Sequence, residues 1–158
     1  MTCLPNKILN DRIDQLEVKM VANFAVIDCP LSHLFAKGMY IRQVFIPANS
    51  LLTSEVHKTQ HPFTISKGRV LISDGNGEWV EVWAPYTGIT QPGTRRVVCA
   101  LEDTVWTTFH AIKTITGKEN DLSVDDKELI INTIESKIIL KHTNKALNKI
   151  KKQNLCLS

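Results

Sequence analysis

Three polar side chains in the middle of the chain, Glu55, His57 and His61, have the functional groups best suited to chemistry. Together they offer two imidazoles and one carboxylate, which is the ligand set of a facial triad on non-haem iron or manganese. Residues 55 and 57 lie two apart, so their side chains share one face if this segment is a strand. The orientation of His61 depends on the bend at residues 58–60, which the sequence leaves open.

Two further residues bear on this site. His110 alternates with Trp106 and Thr108 in a β pattern, so it could face the same interior. Arg96 is always charged and is never a metal ligand. Beside the triad it would repel a cation, and it would pair with Glu55 or with a bound anion. We therefore expect hydrogen-bonded groups at a barrel mouth, without catalysis and without a cofactor. The alternative is one divalent transition metal such as Fe, Mn or Zn.

The elements that must position these side chains are β-strands. Between His57 and His110, short β-rich runs alternate with Gly, Pro, Asn and Asp turns about every 8–12 residues, the pattern of a sandwich or barrel. The run Asp-Gly-Asn-Gly at residues 74–77 is the strongest hairpin signal. From Gly38 onward the runs add up to about eight strands, a normal number for a jelly roll. The sequence predicts a mainly β fold.

Both ends of the chain are predicted to be helical. Over residues 6–22 an apolar stripe recurs at helical spacing, formed by Leu9, Ile13, Leu16 and Met20. This helix would lie either across the body of the domain or on a neighbouring subunit as an arm. A second helix is predicted to start at the capping pair Ser123 and Asp126 and to extend to about residue 152.

These patterns divide the chain into three parts. They are a helical arm at 1–30, a single β-barrel at 38–113, and a linker with a C-terminal helix and a basic end at 118–158. The net charge of +3 is mild, but lysines without any acid crowd the last eighteen residues, at Lys141, Lys145, Lys149, Lys151 and Lys152. The main interpretation is a solvated helix face, and the minority one is contact with nucleic acid or an acidic partner.

The cysteines and the absence of targeting patterns suggest a reducing location. The four cysteines form no zinc-binding spacing, so free thiols are expected, and they are Cys3, Cys29, Cys99 and Cys156. The first residues lack the pattern of a secretory signal peptide. No uncharged apolar run is long enough to span a membrane. We expect no secretion and no membrane partner.

The spacing Glu55-x-His57-x3-His61-x6-Gly68 resembles the first motif of the cupin superfamily. That motif has two histidines one residue apart, then a glutamate, then a glycine. Here Glu55 and His57 stand at the two histidine positions and His61 at the glutamate position. The resemblance implies a small β-barrel, over about residues 38 to 113, in which these residues would ligate a metal.

The second cupin motif has a proline-glycine turn followed by a histidine. The turn is present at Pro92-Gly93, but Arg96 stands at the position of the last ligand. The sequence over residues 32–68 and 92–110 is also similar to that of small cupin-like proteins encoded by tailed bacteriophages. That resemblance implies a virion-associated or assembly protein, in the virion or the host cytoplasm.

The resulting prediction is a cupin-like jelly roll with flanking helices that acts as a non-enzymatic structural or assembly protein. Its partners would be other subunits, as a homo-oligomer or docked on virion proteins. If Trp79 and Trp83 face outward beside Tyr86, they form a protein-contact surface. The alternative function is a metal-dependent cupin enzyme or a sugar-binding cupin that uses Glu55, His57 and His61. A third hypothesis is a small-ligand sensor in which Arg96 binds an anion.

Overall fold

The chain forms two antiparallel sheets and two helices. The computed structural model describes residues 4–25, 27–74, 77–113, 117, 123–137 and 139–140, with side chains from residue 7 onward except at 124, 132–137 and 139–140. The helices are α1 Leu4–Asn23 and α2 Val124–Lys137. The strands are β1 Leu31–Ala36, β2 Met39–Ile46, β3 Ser50–Thr53, β4 Val56–His57, β5 His61–Lys67, β6 Arg69–Ser73, β7 Val80–Trp83, β8 Tyr86–Thr90, β9 Val97–Ala100, β10 Thr104–Ala111 and β11 Ile139–Leu140.

The strands pair in a nested order. From the outside inward, β2 pairs with β10, β3 with β9, β5 with β8 and β6 with β7, all antiparallel. The chain thus doubles back as one long hairpin and rolls into a five-stranded sheet of order β1-β2-β10-β5-β8 and a four-stranded sheet of order β3-β9-β6-β7. Two packed antiparallel sheets built in this way are a jelly roll. The predicted mainly β jelly roll is confirmed.

The two sheets share one apolar core. Its buried members come from the inward positions of both sheets and are Ile46, Phe63, Ile65, Val70, Val82, Val98, Ala100 and Trp106. In β10 the inward residues are Thr104, Trp106, Thr108 and His110, as strand alternation requires. The core therefore occupies one end of the interior, and β10 continues past it into a polar region.

Gly68 allows β5 to turn directly into β6. Its φ of +98° lies in a region that side chains rarely adopt, and a Cβ there would meet Thr104 and come within 2.6 Å of the Asp103 carbonyl oxygen. The hairpin predicted at residues 74–77 joins β6 to β7, which pair from Arg69 opposite Trp83 onward. Residues 75 and 76 lie outside the described part of the chain.

The N-terminal helix packs on the barrel of its own chain. Ile13, the centre of the predicted apolar stripe, is 1% exposed. On the same side, Asp14 and Glu17 reach the buried Arg95 guanidinium at 2.6 and 2.7 Å. The structure thus shows a helix lying across the body of the domain. The first strand, β1, begins at Leu31, before the start of the barrel predicted at residue 38.

The C-terminal helix is shorter than predicted. Its N-terminal cap is confirmed, because the Asp126 backbone N–H donates to Ser123 Oγ at 3.1 Å and the Ser123 N–H donates to Asp126 Oδ2 at 3.1 Å. The prediction that the helix extends to about residue 152 is wrong, since it ends at Lys137 and Ile139–Leu140 pairs with β4. The lysine-rich residues 141–158 lie outside the described residues. Neither described helix is long and apolar enough to cross a membrane.

Candidate functional site

A pocket of about 300 Å³ opens into the interior between the two sheets. Four of the residues singled out in the sequence, Glu55, His57, His61 and Arg96, all line it. Arg42 and Thr108 line it from the five-stranded sheet, and Leu52 and Val98 from the four-stranded sheet. The fold therefore brings the candidate residues together.

The strand register explains why one end of this interior is polar. Tyr40 lies opposite His110, and His61 lies opposite Thr90, so these residues form one row across the five-stranded sheet. Two residues further along β2 and β10, Arg42 lies opposite Thr108. The following row is apolar, with Val44 opposite Trp106 and Trp106 opposite Ile65. The pocket is consequently amphipathic, with a polar end and an apolar end.

Three histidine rings meet at the polar end. The ring centroids of His57 and His61 are 4.6 Å apart, and those of His61 and His110 are 4.4 Å apart. His110 is thus placed beside the predicted site, with its Nε2 2.9 Å from the Thr108 hydroxyl oxygen. Three ring nitrogens, His57 Nδ1, His61 Nε2 and His110 Nδ1, are buried without a hydrogen-bond partner among the described residues. Such orphaned atoms are costly unless something else pairs with them.

The hydrogen bond of His61 fixes the character of its free nitrogen. Its Nδ1 lies 3.0 Å from the Thr59 carbonyl oxygen, which accepts only, so Nδ1 carries the proton. In the neutral ring, Nε2 is then an acceptor, and it is buried without a partner among the described residues. His61 is only 2% exposed, and its burial lowers the pKa of the ring, as does the charge of Arg96 to a smaller extent. His61 thus forms part of the pocket wall, with its acceptor nitrogen beneath the accessible surface.

Two guanidinium groups approach the histidines from opposite sheets. Arg96 stacks over the Phe63 ring, with its Cζ 5.1 Å from the ring centroid, and its Nη1 donates to Thr90 Oγ1 at 3.0 Å. Burial lowers the pKa of Arg96. Arg42 Nε is buried without a partner. No described residue forms an ion pair with either arginine. Burial lowers the pKa of His57 to about 3, and the charges of both arginines act in the same direction.

These residues do not fit a divalent cation. Within the described ranges, no group of three or more His, Cys, Asp or Glu side chains is arranged to hold a metal ion. Moreover, Arg42 and Arg96 outnumber Glu55 among the charged residues that line the pocket. The positive field that disfavours a proton on His57 also disfavours a metal. A metal held by Glu55, His57 and His61 stays a prediction of the sequence, and no step is derived from it.

Two arginines with defined roles, Arg42 in the pocket and Arg95 beneath α1, do not stand out in the sequence. Arg42 follows Tyr40 and precedes Val44 at inward positions of β2, so alternation along the strand was the available signal. Arg95 is 4% exposed and binds α1, whereas the neighbouring Arg96 faces the pocket. No local pattern distinguishes the roles of these two adjacent arginines.

The contact residues predicted from the sequence lie on the surface. Trp79, Trp83 and Tyr86 are 49%, 59% and 43% exposed, and they lie on or beside the edge strands β7 and β8. The Arg69 guanidinium lies over the Trp83 ring, 4.7 Å from its centroid. Two other exposed apolar residues, Val80 and Ile89, lie along a second cleft of about 340 Å³. We use the name aromatic surface for the exposed apolar residues along these two edge strands, Trp79, Val80, Trp83, Tyr86 and Ile89, among which Trp83 and Val80 lie on opposite faces of β7.

Comparison with solved structures found matches of low similarity. The matches include an acetylacetone dioxygenase from Acinetobacter johnsonii at 16% identity and a TM-score of 0.45, over 52% of this chain and 59% of that one. They also include a protein with a double-stranded β-helix domain from Klebsiella pneumoniae at 17% identity and a TM-score of 0.47, over 60% of this chain and 85% of that one.

A third match is an RmlC-like cupin family protein from Methanocaldococcus jannaschii, at 8% identity and a TM-score of 0.46, over 54% of this chain and 82% of that one. This chain spans about 59% of the length of the dioxygenase. No family model and no curated protein matches the chain. None of these three matches is described as a bacteriophage protein.

Proposed function

We propose that this chain is a binding protein whose jelly-roll interior holds one small molecule without transforming it. The observation that carries the proposal is a pocket of about 300 Å³ whose lining includes Arg42 and Arg96, neither of which forms an ion pair within the described residues. The size lies within the range of small-molecule sites, and apolar walls with few polar groups are typical of them.

Binding of a defined set of probes tests this function. We expect at least one of mandelate, phenylacetate and mandelamide to shift backbone amide resonances of His61, Thr90 and Val98 in NMR spectra of the full chain. Leu52 lines the pocket from β3, whereas its neighbour Leu51 is not among the lining residues. Leu52→Trp should therefore abolish the shifts, and Leu51→Trp should preserve them.

Two results would contradict the binding role. One is that none of the three probes shifts resonances of the pocket. The other is about one transition metal per chain, retained through gel filtration and lost in His57→Ala, which would support the metal-dependent alternative. Native mass spectrometry of the purified full-length chain reports bound metal and subunit number together.

A second candidate function, assembly with other protein subunits, is supported by the aromatic surface. Large exposed apolar residues grouped on edge strands are uncommon on monomers and favour protein contacts. Trp83 is 59% exposed and Val80 is 62% exposed, and both belong to the edge strand β7. Oligomerisation, or docking on larger proteins such as those of a virion, is the role that such a surface would serve.

Light scattering during gel filtration tests the assembly role. We expect the full chain to run as an oligomer, and Trp83→Ser combined with Trp79→Ser to reduce its mass to that of one subunit, because the contact loses its two largest apolar side chains. Leu34→Ser is the control, since Leu34 is 55% exposed on β1, the far edge of the other sheet. A wild-type chain that runs as a monomer at every concentration would rule out self-association through this surface.

A further inference from the structure

We propose that the ligand of the interior pocket is a small carboxylate with an apolar body. Its carboxylate would bind Arg42 and Arg96, and its body would lie at the apolar end. This inference rests on the proposed binding function and names the class of molecule that the same pocket takes.

The charge of the pocket favours an anion. Arg42 and Arg96 line it, and Glu55 is the only carboxylate among the described lining residues. Two positive charges and one negative charge leave a formal charge of +1 while the imidazoles are neutral. Buried or half-buried guanidinium groups are normally paired with an anion, and neither arginine has an ion pair within the described residues.

The two arginines line the same pocket. They come from opposite sheets, Arg42 from β2 and Arg96 from the residue before β9, and His57 lines the pocket with them. An anion bound in this pocket would therefore lie in the positive field of both guanidinium groups. Planar carboxylates are well suited to the fixed donor geometry of guanidinium.

The other residues that line the pocket favour a ligand with an apolar body over one with a second charged group. Val44, Ile46, Leu52, Val98 and Trp106 line the pocket beyond the arginines. A phosphate carries more negative charge than the formal charge of +1 in this pocket can balance. It also has no apolar part that would cover these residues. We therefore assign a carboxylate, and phenyl phosphate becomes a competing probe in the test.

Calorimetric titration of the full chain with matched probes tests this assignment. Mandelate and phenylacetate each have a carboxylate and an aromatic body, and mandelamide lacks the charge. We expect mandelate to bind about 10-fold or more tightly than mandelamide, since the neutral probe leaves the two guanidinium groups without an anion. Arg96→Gln and Arg42→Gln should each weaken mandelate by a similar factor and affect mandelamide little.

Arg69→Gln is the control, because Arg69 pairs with Glu81 and Glu102 and is not among the residues that line the pocket. Arg96→Lys keeps the charge and should retain part of the affinity if Arg96→Gln fails to fold. Equal binding of mandelate and mandelamide would overturn the anion and leave the binding function standing. Tighter binding of phenyl phosphate would overturn the carboxylate, and absence of all binding would overturn the proposed function as well.

Discussion

Replacing Arg95 by alanine should lower the free energy of unfolding by roughly 3–5 kcal/mol, as expected when one partner of a buried ion pair is removed. The Arg95 side chain is 2% exposed, and its two ion-pair partners lie on α1. Urea denaturation followed by circular dichroism measures this change.

The size of the expected loss in stability follows from the number of acceptor groups to which Arg95 donates hydrogen bonds. Its guanidinium donates to Asp14 and Glu17 and to the Asn10 carbonyl oxygen at 3.2 Å, and its Nε donates to the Ser54 carbonyl oxygen at 3.0 Å. Alanine would leave the buried Glu17 carboxylate without this cation. It would also remove these ion pairs and hydrogen bonds between α1 and the barrel. We therefore expect the helix to detach before the barrel unfolds.

Arg69→Ala is the matched control, because Arg69 also makes two ion pairs but at an exposed place. The Glu81 and Glu102 side chains that it contacts are 42% and 55% exposed. Exposed pairs contribute about 0–1 kcal/mol. An Arg95→Ala chain as stable as Arg69→Ala would show that α1 is held by apolar contacts alone.

Acidification below pH 6.5 should destabilise the fold, because buried neutral histidines take up protons when the chain unfolds. Burial is the main cause that lowers the pKa of His57 and of His110 to about 3, and nearby imidazoles and Arg42 act in the same direction. In the unfolded chain both rings titrate near pH 6.5. Their neutral forms therefore favour the folded state.

The direction of the pH dependence follows from proton uptake. Between pH 6.5 and about pH 3 the unfolded chain binds more protons than the folded chain, so stability falls as pH falls. Above pH 6.5 this contribution to stability is fully present. Each of the two histidines should account for roughly 2–3 kcal/mol of the loss between pH 7 and pH 4.5.

Urea denaturation at a series of pH values measures this loss. His110→Gln should flatten the curve, because one of the two strongly shifted rings is gone. His33→Gln should leave most of the slope, since His33 lies in the partly exposed edge strand β1. A slope that is unchanged in His110→Gln would show that other groups cause the acid sensitivity.

The sequence predicted the fold well because its signals are local. Strand alternation, the Gly68 turn and the hairpin at 74–77 each act over a few residues, and the register follows from them. The first strand, β1, was missed because it is an edge strand with exposed Leu31 and Leu34, which blur the alternation. The end of α2 was wrong because Ile139–Leu140 pairs with β4, a distant partner that no local pattern shows.

The site could be predicted only in part, for a similar reason. Glu55, His57, His61 and Arg96 were grouped through the spacing of two motifs, and all four line the pocket. Arg42 comes from β2, far from these motifs in the sequence, and joins them only through the sheet. The chemistry of the site changes once Arg42 is included, because a second positive charge shifts the preference from a cation to an anion.

The nested strand pairing also constrains how the chain is made. The middle strand of the five-stranded sheet is β10, which fits between β2 and β5 and is the last strand of the two main sheets to leave the ribosome. Until Ala111 emerges, β2 and β5 have edges that lack their partner. Contacts between residues so distant in sequence slow folding, and unpaired edges invite pairing with other chains. Slower synthesis at low temperature should therefore raise the yield of folded protein.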